Sequence, residues 1–210
     1  MNIVMLAAGL SERMGEANKM LIDCNGISVA CRSCINALEY LNTLNENSRL
    51  IVVSGYDRTG LEKSLEPCRK FISEKGEYLQ MIVTYNPHFK YGQFTSAKAG
   101  VSQIPDGEFF FISLADMPFI RADHYSLLRQ ELKSNDCIRP VFENSPGHPV
   151  LCSPQLKKTV LAYPDNAKFT DVISNYKIKK LEISDCSVIR DIDTPHDIVF
   201  LKRKFQNSAL

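Results

Sequence analysis

Two glycines and two cations lie close together near the start of the chain. The segment from Leu6 to Gly15 reads LAAGLSERMG, and Lys19 follows four residues later. Small residues at the end of a strand let the backbone approach a ligand, and free backbone N–H groups there can bind phosphate oxygens. Arg13 could bind two phosphate oxygens at once, and Lys19 offers a compact positive charge. This loop indicates a site for a triphosphate.

The same loop has a purely structural interpretation. Gly9 and Gly15 could be turn residues, and Arg13 and Lys19 could be solvated surface charges. The loop matches neither the dinucleotide-binding fingerprint nor the GxxxxGK[ST] phosphate loop. Its spacing alone therefore leaves both interpretations open.

A carboxylate follows the most apolar strand of the chain. The run Glu108–Leu114 reads EFFFISL and continues into Ala115 and Asp116, so it predicts a central strand. In an open α/β sheet, ligands bind at the carboxyl ends of the strands. Magnesium prefers one or two carboxylates together with phosphate oxygens. Asp116 is therefore a candidate metal ligand, whereas a cap for a helix beginning near Arg121 would lie closer to that helix.

A second acidic segment lies near the end of the chain. It reads RDIDTP from Arg190 and follows a strand-like stretch at Ser187–Ile189. If this element returns beside the strand that precedes Asp116, Asp193 becomes the second carboxylate of one metal site, in preference to Asp191. Helix capping competes with this hypothesis, because an acidic or hydroxyl residue directly before a proline is typical of a helix N-terminus.

These residues need a scaffold that brings their loops to one edge. Short apolar runs alternate with longer amphipathic runs, a pattern typical of a parallel sheet with helices on both faces. The sequence therefore predicts an α/β fold. The clearest strands are rich in Ile, Val or Phe and end at Gly, Asn or Asp. They are Asn2–Ala7, Arg49–Ser54, Gln80–Tyr85 and Glu108–Leu114.

The second half of the chain predicts a sheet that becomes mixed. A strand pair is expected around Cys137–Phe142 and Pro149–Cys152, and a further strand at Lys179–Ser184. Helices are expected at Arg121–Lys133, after Ser153 and Pro154, near Phe169–Tyr176 and at Thr194–Phe205. No repeat or linker interrupts the pattern, so we expect a single domain over residues 1–210.

Composition excludes several classes of protein. The 25 basic residues nearly balance the 24 acidic ones, so no global field favours nucleic acid or an anionic membrane. The apolar start of the chain is too short for a signal-peptide core or a membrane span. Seven cysteines, an odd number, indicate a reducing cytoplasm. Cys31 and Cys34 form a CxxC within a helical pattern at Ser28–Leu41, which favours a structural role.

Five motifs, in this order, resemble the molybdopterin nucleotidyltransferases, and most nearly the molybdenum-cofactor cytidylyltransferase branch. They span nearly the whole chain. The motifs are LAAGLSERMG with Lys19, GQFTSAKAG at 92–100, LADMP at 114–118, GHPV at 147–150 and DIDTPHD at 191–197. The resemblance implies a Rossmann-like three-layer sandwich of the nucleotide-diphospho-sugar transferase type, with a mostly parallel, partly mixed sheet.

The resemblance also implies roles for individual residues. Asp116 and Asp193 fall on the family's Mg²⁺ positions, with Arg13, Lys19 and Asp116 as the catalytic set. Gly147 and His148 fall in the acceptor pocket. The nucleotide-binding residues would be Leu6, Ala7, Ala8, Gly9, Ser11, Arg13, Lys19, Gly92 and Ser96. The alternative for the last two is a loop followed by a helix capped at Thr95 or Ser96.

The resemblance implies transfer of a nucleoside monophosphate from a nucleoside triphosphate to a phosphorylated acceptor. In the family this acceptor is molybdopterin. A molybdoenzyme or its maturation factor would receive the product. Ala8 stands where the guanylyl branch usually has glycine, and its methyl group favours the smaller base of CTP. The segment Gly92-Gln93-Phe94-Thr95-Ser96 departs from the sequence that the family usually has here. The identity of the acceptor is therefore left open. Another sugar-phosphate transferase or a non-catalytic nucleotide-binding protein are the alternatives.

Overall fold

A computed structural model of the protein describes residues 1–9, 18–132 and 135–206. The described residues form an eight-stranded sheet in the order β3-β2-β1-β4-β7-β5-β6, and β8 pairs with β5. The strands are β1 (Asn2–Ala7), β2 (Ser48–Ser54), β3 (Leu79–Tyr85), β4 (Phe110–Leu114), β5 (Cys137–Phe142), β6 (Ser145–Pro146), β7 (Val150–Cys152) and β8 (Ile178–Glu182). The predicted mostly parallel, partly mixed sheet is confirmed.

Helices cover both faces of this sheet, which makes three layers. They are α1 (Val29–Thr43), α2 (Arg58–Ser64), α3 (Glu66–Lys75), α4 (Gln93–Val101), α5 (Ala122–Gln130), α6 (Gln155–Ala162), α7 (Phe169–Ile173) and α8 (Pro195–Gln206). The residues that α1, α2, α3 and α5 bury form one apolar core with the sheet, and those of α4, α6 and α7 form another. Leu201 of α8 packs with Phe119 and Ile192 in a smaller cluster.

The first four strands explain where a ligand can bind. β1 pairs in parallel with both β2 and β4, and Leu6 lies opposite Val53 on one side and Leu114 on the other. Every residue of β1 is buried, as expected for a strand covered on both faces. Because the strands are parallel, the loops that follow β1, β2, β3 and β4 meet at one edge of the sheet.

Two local predictions are wrong, and one predicted helix is shorter than expected. The strand-like stretch at Ser187–Ile189 is a short 3-10 helix, Cys186–Val188, whose first turn is capped by the Asp185 carboxylate. The fourth helix is not capped at Thr95 or Ser96, because it begins at Gln93. The helix expected near Phe169–Tyr176 ends at Ile173.

Six of the seven cysteines are buried and Cys186 is partly exposed, and all seven are free thiols. Cys31 of α1 contacts Cys68 of α3, with 3.6 Å between the two sulfurs, so the predicted structural role of Cys31 and Cys34 agrees with their complete burial. Across the described ranges, no helix combines the length and the apolar character needed to cross a membrane.

Candidate active site

A lysine joins two carboxylates at the carboxyl edge of the sheet. The Lys19 Nζ atom lies 2.6 Å from Asp116 Oδ2 and 2.5 Å from Asp193 Oδ1. Lys19 lies in a short 3-10 helix, Asp116 in the loop after β4, and Asp193 just before α8. The side chains of Lys19 and Asp116 are only 12% and 13% exposed, so these charges interact in a partly desolvated environment.

The carboxylate of Asp191 completes an acidic cluster. Single carboxylate oxygens of Asp116, Asp191 and Asp193 all lie within 4.8 Å of one another. Burial raises the pKa of Asp191, and the negative charges of Asp193 and Asp116 raise it further. Among the described residues, the buried Oδ1 atom of Asp116 has no hydrogen-bond partner. A crowded set of oxygens with one atom unsatisfied fits a hard divalent cation.

The same cluster also raises the pKa of Lys19. Burial alone would lower the pKa of Lys19, but the charges and hydrogen bonds of Asp116 and Asp193 outweigh it and raise that pKa. The ammonium group is therefore charged at neutral pH. It lies between two carboxylates that a divalent cation would also contact.

Two polar side chains of α1 hold the loop that carries Asp116. Ser33 Oγ donates to the carbonyl of Ala115 at 2.9 Å. The Asn36 amide donates to the carbonyls of Pro118 and Ile120 at 2.9 and 2.8 Å. Because these bonds are buried, losing them would leave carbonyls unsatisfied. The sequence analysis missed this role, although two polar residues on the buried face of an amphipathic helix were a usable signal.

The segment around Asp193 is attached to the same loop. The backbone N–H of Ile192 donates to the carbonyl of Asp116 at 2.9 Å, so the return of this segment beside β4 occurs through a loop contact. The capping of α8 involves Thr194 and Asp197, whose side chains bond to each other's backbone N–H groups. The Asp193 carboxylate pairs with Lys19 instead of capping the helix.

The loop after β1 is described only in part. Leu6 lines a cavity, Ala7 and Ala8 are buried, and Gly9 is exposed. A Cβ built on Gly55, directly after β2, would lie 2.7 Å from Ala8 Cβ. The absence of a side chain at Gly55 therefore lets the Ala8 methyl group pack between the first two strand ends. Ser11 and Arg13 lie outside the described residues.

The loop after β3 places Gly92 and Ser96 differently. Gly92 has φ of 117°, which favours glycine, and a Cβ built there would meet no atom within 4 Å, so its backbone faces open space beside the cavity. Ser96 is buried, and its hydroxyl accepts a hydrogen bond from the Asn86 amide at 2.9 Å. Gly92 thus faces the candidate ligand space, whereas Ser96 holds the loop.

The cavity itself has a volume of about 470 Å³ and lies on the α4 face of the sheet. Six of its lining residues are Leu6, Gly92, Phe94, Ile112, Arg139 and His148. The His148 ring contacts the Ile112 carbonyl through Nδ1 at 3.3 Å. Since a carbonyl only accepts, Nδ1 carries the proton and Nε2 is left as an acceptor.

Burial keeps His148 neutral. Desolvation lowers the pKa of His148 to about 4; the bond to the Ile112 carbonyl opposes this effect, and the charge of Arg139 adds to it. Gly147 does not line the cavity. A Cβ built on Gly147 would lie 2.1 Å from the carbonyl oxygen of Val188. This close approach fixes the backbone beside His148, whose N–H also donates to the Val188 carbonyl at 2.8 Å. Arg139, also in the cavity, escaped the sequence analysis because a single arginine in a short strand carries no motif.

The sequence from residue 3 to residue 181 matches the model of one protein family, described as the MobA-like NTP transferase domain. The matched range covers most of the chain and includes the loop after β1, Asp116 and His148. The chain belongs to this family. The resemblance seen in the sequence is thus confirmed, and this MobA-like chain is a nucleotidyltransferase. Members of the family depend on a divalent metal, and the acidic cluster lies where one could bind.

Individual proteins resemble the MobA-like chain over nearly its whole length. The molybdenum cofactor cytidylyltransferase of Escherichia coli (strain K12) is 27% identical over 202 residues, which are 96% of this chain and 95% of that protein. A nucleotidyl transferase from Methanothermobacter thermautotroptrophicus superposes with a TM-score of 0.75 at 15% identity, covering 99% and 98% of the two chains. Molybdopterin-guanine dinucleotide biosynthesis protein A from Archaeoglobus fulgidus gives 0.63 at 13% identity, covering 99% and 100%.

Proposed function

We propose that this protein transfers CMP from CTP to the phosphate of molybdopterin or its molybdenum-loaded form and releases pyrophosphate. The observation that carries the proposal is the cluster of Lys19, Asp116 and Asp193 at the sheet edge, next to the loop after β1. The activity of the Escherichia coli relative supplies the choice of CTP and of the acceptor. We place the reaction in the cytoplasm, where the free thiols would stay reduced.

The acidic cluster would hold Mg²⁺ through Asp116 and Asp193. The unsatisfied Asp116 Oδ1 atom supports this assignment, because it is a buried carboxylate oxygen that lacks a hydrogen-bond partner among the described residues. When bound, the ion would neutralise phosphate charge and orient phosphate oxygens.

The chain's own residues would position the reactants and balance charge. In the proposed reaction, a phosphate oxygen of the acceptor attacks the α-phosphorus in line, and pyrophosphate leaves from the opposite side. Lys19 would balance negative charge at the α-phosphate, and Arg13 would hold the departing pyrophosphate. Asp193 and Asp116 keep Lys19 charged and fixed at this edge.

The preference for CTP rests on Ala8 as well as on the relative. The Ala8 methyl group is buried and lies against Gly55, which is also close to Phe89. This packing fills space at the ends of β1 and β2, where a nucleotide base would lie. A smaller pyrimidine base fits such a narrowed edge better than a purine.

The cavity beyond Gly92 would receive the acceptor. It lies between the loop after β3 and the hairpin of β5, β6 and β7, which carries His148. The free Nε2 atom of neutral His148 could accept a hydrogen bond from an N–H group of a pterin. Gly147 would act by positioning His148 rather than by contacting the acceptor.

The test is pyrophosphate release with molybdopterin, with and without Mg²⁺, measured for CTP, GTP, ATP and UTP. We expect release with CTP that requires Mg²⁺ and falls at least about 100-fold in Asp116→Ala, the scale expected when a charge-stabilising group is lost. Asp165→Ala is the matched control, since that aspartate pairs with Lys98 on the surface.

Other outcomes identify the alternatives. Faster release with GTP would contradict the nucleotide assignment. Release with a sugar phosphate and none with molybdopterin would contradict the acceptor. CTP binding without release from any acceptor would favour a non-catalytic nucleotide-binding protein.

A further inference from the structure

One cationic side chain in the cavity has no acidic partner. Arg139 of β5 lines the cavity, and its Nε donates to the Gly147 carbonyl at 3.2 Å. Burial lowers the pKa of Arg139, yet a guanidinium stays charged in proteins. Among the described residues, Arg139 forms no ion pair with a carboxylate.

The charge of the whole cavity has one sign. Lys168 contributes a second cation at its lining, and none of the described lining residues is acidic. His148 is neutral because burial lowers its pKa. Most buried charges in proteins are paired, because an unpaired charge loses its hydration without compensation. Arg139 is half-buried and faces an open cavity whose described lining holds cations and no carboxylate. It is therefore suited to bind an anionic group of a ligand.

The position of Arg139 separates this anion from the phosphate that reacts. β5 and β4 are two strand spacings apart, with β7 between them, a distance of about 10 Å. The register places Arg139 near the level of Ile112, four residues before Asp116. The bond to Gly147 also holds the guanidinium toward the hairpin. One phosphate at Lys19 could not contact Arg139 as well.

We propose that Arg139, assisted by Lys168, recognises a second anionic group of the acceptor, distinct from the phosphate that attacks the nucleotide. This inference rests on the proposed function, since it assumes that the cavity receives the acceptor. Arg139 is then a specificity-determining residue. It selects acceptors that carry a negative group in addition to the attacking phosphate, while His148 accepts a hydrogen bond from a neutral part of the acceptor.

The first experiment measures KM and kcat for molybdopterin and for CTP in wild type, Arg139→Met and Arg139→Lys. Methionine keeps much of the side-chain volume and removes the charge, whereas lysine keeps the charge but cannot bind two oxygens at once as the planar guanidinium does. We expect Arg139→Met to raise KM for molybdopterin about 10- to 100-fold and to leave KM for CTP within about twofold. Arg139→Lys should recover part of the loss.

Arg69→Met is the matched control, because Arg69 is 43% exposed on α3 and pairs with Glu66. It should leave all constants unchanged. An unchanged KM for molybdopterin in Arg139→Met overturns the inference and leaves the proposed function standing. Equal losses for molybdopterin and CTP, with lower thermal stability, also overturn it, because they indicate a structural role.

A second arm does not need turnover. The protein is saturated with Mg²⁺ and a CTP analogue that has a methylene bridge between the α- and β-phosphates, so that the nucleotide site is filled, and is titrated with inorganic phosphate by calorimetry. We expect weak binding in wild type and Arg69→Met that is lost in Arg139→Met. If wild type does not use molybdopterin, the proposed acceptor fails, and this titration alone decides. Equal phosphate binding in wild type and Arg139→Met then overturns the inference.

Discussion

At the scale of single residues, Lys19 would compete with a metal ion at the proposed site for the charge of the same carboxylates. Its ammonium group contacts both Asp116 and Asp193, and two cations at one pair of carboxylates repel each other. Binding of a divalent cation would therefore weaken these ion pairs and make Lys19 available to a phosphate. The lysine and the metal would then share the negative charge of the cluster and the nucleotide.

This competition predicts that Lys19→Met separates metal binding from turnover. Removal of the ammonium group should tighten Mn²⁺ binding about fivefold, because a competing positive charge is lost, and should lower kcat about 100-fold. Electron paramagnetic resonance of free Mn²⁺ measures the affinity, and pyrophosphate release measures the rate. Lys98→Met, which removes a lysine that pairs with Asp165 outside the acidic cluster, is the control. Weaker Mn²⁺ binding in Lys19→Met would contradict this account of the cluster.

His148 predicts a pH dependence of stability. Its pKa is lowered from 6.5 to about 4 in the folded chain, so the unfolded chain binds more protons between these values. The stability contribution is complete above about pH 6.5 and is lost as the pH falls toward 4. When the pH falls from 7.5 to 5, the free energy of unfolding should decrease by about 1 to 2 kcal/mol more in wild type than in His148→Asn. This estimate is discounted for solvent screening, because the ring borders an open cavity.

Urea unfolding at both pH values measures this difference, and the variant cancels the contribution of the other titrating groups. Asp193→Asn is unsuitable as a comparison, since it alters the acidic cluster. Equal acid-side losses in wild type and His148→Asn would show that the imidazole is solvated and not held neutral by burial.

At the scale of elements, the hairpin from β5 through β7 carries the proposed acceptor side of the site. Pairing between β5 and β6 stops before Gly147 and resumes with β7 at Leu151. The interruption turns His148 toward Ile112 and leaves Arg139 facing the cavity. Contact with the 3-10 helix at Cys186–Val188 fixes this interruption through the Val188 carbonyl.

Gly147→Ala tests the role of this contact. The added methyl group would overlap the Val188 backbone at 2.1 Å, and backbone atoms cannot move as a flexible side chain can. We expect a loss of about 2 kcal/mol in the free energy of unfolding and a raised KM for the acceptor, because His148 would shift. Ser145→Ala in the exposed β6 is the matched control. Unchanged stability in Gly147→Ala would contradict the close packing described here.

At the scale of the whole molecule, strand periodicity and strand-end residues were sufficient to predict the sheet and the edge at which Lys19 and Asp116 meet. The apolar run before Asp116 indicated a central strand, and β4 does lie next to β1. The 3-10 helix at Cys186–Val188 could not be predicted in this way, because Ser, Val and Ile there satisfy a strand pattern while long-range contacts to Gly147 decide the backbone.

The candidate site was predictable where a residue type stands at a strand end, and otherwise not. Asp116 and Lys19 follow strands or small-residue loops, so their position carried a signal. Asn36 bonds to carbonyls 82 and 84 residues further along the chain, and Arg139 lines a cavity formed by several distant segments. No local sequence pattern records such contacts. That Asp193 pairs with Lys19 likewise required the folded structure, and metal binding by Asp193 stays a prediction.

The central claim is transfer of the α-phosphoryl unit of CTP, and a labelled-nucleotide experiment tests it most directly. Wild type is incubated with Mg²⁺, molybdopterin and CTP labelled with ³²P at either the α- or the γ-phosphate, beside Asp116→Ala and Asp165→Ala. The account predicts that the α label enters the molybdopterin product, that the γ label leaves as pyrophosphate, and that only Asp116→Ala abolishes both. Appearance of the γ label in the product, or of the α label in free CMP alone, would contradict it.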